Sequence, residues 1–129
     1  MEIYDIWIYQ DLSQTGYDPL AGQDITGYKV EAIDGSIGKI DEASNEVGDS
    51  YLIVDTGPWI FGKKVMLPAG VVQRVDTEEK KVYVNRTKDQ IKNAPEFDES
   101  KLSDTGYRDE LGSYYGAGGA GYRERETVR

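Results

Sequence analysis

Tyr28-Lys29-Val30-Glu31-Ala32-Ile33-Asp34-Gly35-Ser36-Ile37-Gly38-Lys39-Ile40-Asp41-Glu42-Ala43 decides how the rest of the chain is read. Large and polar residues alternate from Tyr28 to Ile33, the two-residue period of a half-buried strand. They run into Asp34-Gly35, a strong hairpin signal, because Asp and Gly tolerate the positive backbone angles of tight two-residue turns. Ile37 to Ala43 is then the returning strand.

Similar runs follow on the C-terminal side. Tyr51-Leu52-Ile53-Val54-Asp55 is β-branched and aromatic and ends at Thr56-Gly57-Pro58. Lys63 to Leu67 is a fourth strand, stopped by Pro68 and Gly70. Val71 to Asp76 and Lys81 to Asn85 flank the polar turn Thr77-Glu78-Glu79-Lys80. Six short, closely spaced strands predict an all-β domain, a small six-stranded barrel that leaves few exposed edges. Thr87 to Ala94 predicts a short C-terminal helix, with Thr87 as N-cap and Pro95 just past the end. Glycine is dense in Tyr114-Tyr115-Gly116-Ala117-Gly118-Gly119-Ala120-Gly121-Tyr122, where ordering the backbone costs much entropy. A flexible tail is therefore expected from about residue 112.

Charge divides the chain the same way. The 129 residues carry a net charge of -9. Residues 1–24 contribute -5 with no Lys or Arg, while residues 25–98 and 99–129 contribute -3 and -1. The expected organisation is an acidic aromatic arm at 1–23, partly docked through Ile3, Ile6, Trp7 and Ile8. A domain at 24–98 and a Gly/Tyr-rich extension at 99–129 follow it. So acidic a chain is not expected to bind nucleic acid or to adsorb to an anionic membrane. Nor is membrane insertion expected, since no stretch is long and apolar enough. Glu2 and Asp5 stand where a secretory signal needs basic residues, so the expected compartment is the cytoplasm. The sequence contains no Cys and no His. It therefore lacks thiolate nucleophiles, imidazole bases and nitrogen- or sulfur-ligated zinc sites, and an enzyme is not expected.

Gly27 to Val30, Asp34 to Asp41, Tyr51 to Asp55, Lys64 to Pro68 and Val82 to Val84 together resemble a PRC-barrel domain over about residues 24–95. That module forms the cytoplasmic part of the photosynthetic reaction centre H subunit and the C-terminal half of a ribosome maturation factor. The wording Val54 to Lys64 is similar to stand-alone actinobacterial members. The resemblance implies a non-catalytic interaction or assembly module, and its alternative is a small-ligand component or a pigment- or quinone-associated one like the H subunit. These residues include neither the H subunit's membrane helix nor the maturation factor's second barrel, so neither function transfers on fold alone.

The stretch with most to say about function is Thr56-Gly57-Pro58-Trp59-Ile60-Phe61-Gly62. Three large apolar side chains in a hairpin loop must cover something. They either cap the barrel's own open end or pack on the acidic arm, the commoner use of such loops, or form a hot spot for a protein partner. A homodimer is the simplest partner, since a twofold patch needs only itself. Trp59, Ile60, Phe61 and Trp7 are the candidate interaction residues. No catalytic, cofactor or metal residues are expected: Asp34 and Asp49 suit turns, and the acidic residues lack calcium-loop spacing.

Overall fold

The computed structural model describes residues 6, 7, 9, 24–44, 50–57, 63–102 and 104–118. Six strands stand where the alternation and turn residues put them: β1 (Lys29–Ala32), β2 (Gly35–Ser44), β3 (Tyr51–Asp55), β4 (Lys64–Pro68), β5 (Val72–Asp76) and β6 (Lys81–Val84). They form one sheet in the order β4-β3-β2-β1-β6-β5, antiparallel throughout except for the parallel pair β1–β6. The first hairpin turns one residue earlier than its Asp-Gly signal suggests. Ala32 pairs with Gly35, so Ile33 and Asp34 form the loop and Gly35, at φ 145°, opens β2. Ile33 is left 65% exposed.

Ile37 and Ile40 are both buried, although strict alternation would place them on opposite faces. The register explains it. Val30 pairs with Gly38 and Glu31 with Ser36, leaving Ile37 as the extra residue of a bulge. Gly38 sits there at φ 146°, and a Cβ on it would collide with the carbonyl of Asp55 and lie 2.9 Å from Thr56 Cα. Only glycine fits. Further register shifts at Ile40/Glu42 and Val72/Arg74 add bend to the sheet.

One face of the sheet packs Val30, Ile40, Leu52, Val54, Leu67, Val75, Val82 and Val84 into a core. Burying each such side chain contributes roughly 1.5–3 kcal/mol. Ile53 and Met66, of the opposite parity on β3 and β4, are buried as well, so this end of the sheet is covered on both sides.

The sheet is not closed into a barrel: β4 and β5 pair with no common partner and not with each other. The chemistry of their link accounts for this. Pro68 has no N–H to offer, and the buried 3-10 turn Ala69–Val71 joins the two strands directly. Its Ala69 N–H donates to the Ser50 carbonyl and its Gly70 N–H to the Ile6 carbonyl, so neither is left to bridge across.

Two helices follow. The first, α1 (Lys88–Lys92), starts with a capping box in which Thr87 and Gln90 satisfy each other's backbone N–H. Asp34 in the first hairpin also accepts from Lys88 N–H at 2.8 Å, which ties α1 to the β1–β2 turn. The second, α2 (Thr105–Ser113), begins at Asp104, whose carboxylate accepts from Gly106 and Tyr107, and runs into a π-helical turn Tyr114–Gly118. Residues 112–118, the start of the tail expected to be flexible, continue this helix instead. Tyr107, Leu111 and Tyr115 are four residues apart, share one helix stripe and are buried in the core. That burial offsets the entropy of the neighbouring glycines. Residues 119–129 lie outside the described part.

Candidate functional site

The aromatic loop leaves the sheet between β3 and β4, and its base is firmly held. Ladder pairing continues to the last residues of both strands, with Asp55 opposite Lys64. One step further, Thr56 donates both its N–H (3.2 Å) and its hydroxyl (2.6 Å) to the Lys63 carbonyl. Thr56 is buried, so this clamp is shielded from water. Gly57 turns the chain at φ 56°, and its N–H is held by the Asp55 carboxylate at 2.9 Å. Trp59, Ile60 and Phe61 themselves lie outside the described residues. Beside the loop base, Gly38, Lys39, Asp55, Thr56 and Gly57 line an open hollow of about 280 Å³.

Trp7, the remaining candidate, lies at the other end of β3. Its carbonyl accepts from Ser50 N–H at 2.9 Å, and its half-buried ring packs against the core. The Arg108 guanidinium of α2 lies 5.5 Å from the Trp7 ring and 4.9 Å from the Tyr51 ring, a cation held between two aromatic faces. Its Nη2 donates to the Leu102 carbonyl at 2.8 Å. Trp7 is thus engaged with α2 and with the start of β3, at the opposite end of that strand from the described base of the aromatic loop.

A small cavity of about 50 Å³ lies between β4, the segment after α1, and Tyr115. Met66, Ile91, Ala94 and Phe97 make it apolar inside, with Lys63, Lys92 and Glu96 also on its walls. The Tyr115 hydroxyl is buried without a hydrogen-bond partner among the described residues. The space suits one water molecule, which would satisfy that hydroxyl. It falls far short of the several hundred Å³ that a quinone or pigment requires.

Sequence reasoning missed Arg86, which is 4% exposed. It sits just beyond β6, where its Nη1 bonds Asn85 and its Nη2 donates to the Tyr115 carbonyl at 2.8 Å. It anchors the end of α2 to the sheet. A lone Arg in a polar stretch gives no sequence signal of such burial.

The chemistry of the described carboxylates is that of turns and ion pairs. Asp24, Asp76 and Asp98 are held below the usual aspartate range by hydrogen bonds from Thr26, from Glu79 and Glu78, and from Ser100. Glu96 is lowered by Lys63, which contacts it at 2.7 Å. None of the described carboxylates is buried, and among the described residues no cluster of acidic side chains could hold a metal ion.

The family model of the PRC-barrel domain matches residues 20–91, more than half of the chain. The chain belongs to that family. No curated protein matches the sequence. Among the described residues no helix is long and apolar enough to cross a membrane.

Proposed function

We propose that this PRC-barrel chain is a non-catalytic interaction module of the cytoplasm, and that it assembles with a second copy of itself through the Trp59-Ile60-Phe61 loop. The observation that carries this reading is the clamped loop base. A double hydrogen bond from Thr56 to Lys63 and an unbroken β3–β4 ladder fix the two ends of a loop whose sequence is almost wholly apolar. A pre-organised support lowers the entropy lost when apolar side chains bury against a partner. The absence of Cys and His from the sequence supports a docking role over catalysis.

Light scattering of the wild type and of a Trp59→Ser/Phe61→Ser variant tests it. The expected result is a dimer that becomes a monomer in the variant, with the β circular dichroism unchanged. A monomeric wild type, or a variant of unchanged mass, overturns the self-assembly. Loss of the β signal assigns the loop to the protein's own fold and overturns it equally.

A further inference from the structure

The sheet register places three lysines side by side. Lys39 of β2 is the direct partner of Lys29 on β1, and Lys29 is the direct partner of Lys81 on β6. Directly paired residues project from the same face, and here it is the outer one. The alternating Val30, Ala32, Val82 and Val84 are buried, while Lys29 and Lys39 are exposed and Lys81 is partly so. Like charges set directly opposite each other destabilise a sheet. Lys29 faces a lysine on both sides.

The row makes no ion pair among the described residues, although carboxylates stand beside it. Asp55 stands opposite Lys39, and Asp76 opposite Lys81, so each end is bracketed by an aspartate. Both carboxylates keep their charge, but their oxygens already accept hydrogen bonds elsewhere. Asp55 accepts from Gly57 N–H, while Asp76 accepts from Glu78 and Glu79 N–H and lies 3.6 Å from Arg74. A repulsive cationic row is thus retained in a chain whose net charge is -9.

We propose that the Lys39–Lys29–Lys81 row is a docking surface for a short acidic segment of a partner protein. This rests on the reading of the chain as an interaction module, and it uses a face separate from the aromatic loop. Two inter-strand spacings make the row about 10 Å long. Carboxylates three or four residues apart on a helix are about 5–6 Å apart, which matches the lysine spacing. The flanking Asp55 and Asp76 limit the anionic footprint to two or three carboxylates. A duplex nucleic acid or an anionic bilayer would extend over those aspartates, and is disfavoured.

The test is fluorescence anisotropy on the full chain. The probe is a labelled synthetic helical peptide with Glu at i, i+4 and i+7, and labelled duplex DNA and phosphatidylserine vesicles are comparison ligands. The expected result is saturable peptide binding, weakened by salt and reduced at least about tenfold by Lys29→Gln/Lys39→Gln/Lys81→Gln. Lys63→Gln, at a lysine already paired with Glu96, should leave it unchanged. Thermal melting is the second readout: Lys29→Gln alone, at the lysine with a lysine on both sides, should melt no lower than wild type, because it removes repulsion. Equal peptide binding by the triple variant, or tighter binding of DNA or vesicles than of peptide, overturns the proposal. A clear drop in melting temperature overturns its premise. Self-association is read separately by light scattering, so failure here leaves the loop reading standing, and the reverse.

Discussion

The indole of Trp7 lies against Gly112 of α2, close enough that a Cβ there would come within 2.9 Å of Trp7 Nε1 and 3.5 Å of Ile6 Cγ2. Glycine at this point is a packing requirement, since the N-terminal segment and α2 share one narrow contact. Gly112→Ala should destabilise the fold by about 1–3 kcal/mol, despite alanine's better helix propensity. Gly116→Ala, where nothing lies within 4 Å, is the control and should be within about 0.5 kcal/mol of wild type. Urea unfolding of both variants checks the pair.

Gly38 makes a sharper demand. Its positive φ and the Asp55 carbonyl both exclude a side chain, so Gly38→Ala should cost more than Gly27→Ala. Gly27 has φ 89° but open space around it, and only backbone strain of about 1 kcal/mol applies there. Chemical denaturation should separate the two by at least about 1–2 kcal/mol.

The adjacent tyrosines of the last helical turn should respond oppositely to losing a hydroxyl. Tyr114 donates to the Gln90 carbonyl at 2.7 Å, so Tyr114→Phe should lose about 0.5–1.5 kcal/mol. The Tyr115 hydroxyl is buried with no partner among the described residues, so Tyr115→Phe should be neutral or slightly stabilising. A loss of stability in Tyr115→Phe would reveal a water already satisfying that hydroxyl.

Alkaline pH offers a test that needs no mutation. Burial pushes the phenols of Tyr107 and Tyr115 well above the ordinary tyrosine range. Their folded-state pKa values exceed the unfolded value of about 10. The stability they contribute is therefore complete below that pH and falls as the pH rises beyond it. Tyrosinate absorbance followed alongside circular dichroism should show these two of the ten tyrosines ionising only as the β signal is lost.

Arg86 is the last target. Its fork reaches Asn85 and the Tyr115 carbonyl together, so Arg86→Lys should not replace it. The expected loss is about 1.5–3 kcal/mol, the range for hydrogen bonds to a charged group. Hydrogen exchange should rise first in residues 105–116, ahead of the sheet.

The strands were legible because Val, Ile and Tyr runs are punctuated by glycine, proline and polar turns, and those signals are local. The α1 cap was legible for the same reason. The stripe of Tyr107, Leu111 and Tyr115 carries an equally local signal behind the Asp104 cap, but the glycines at 112, 116 and 118 outweighed it. The bulge at Ile37 and the missing β4–β5 ladder depend on which strand lies opposite, and composition is silent on that. The aromatic loop was conspicuous by its residue types alone. The lysine row was invisible, since Lys29 precedes Lys39 by ten residues and Lys81 by fifty-two. Only the register joins them.

The parallel β1–β6 pair also fixes an order of assembly. Strands β1 to β4 can zip as consecutive antiparallel neighbours while a ribosome is still extending the chain. The second edge of β1 must wait for Lys81 to Tyr83, about fifty residues later. Until that segment emerges, β1 presents an unpaired strand edge, the feature through which nascent chains join one another wrongly. Contacts this distant in sequence also slow folding. Synthesis therefore carries a hazard that the folded protein does not, the open edge of its first strand.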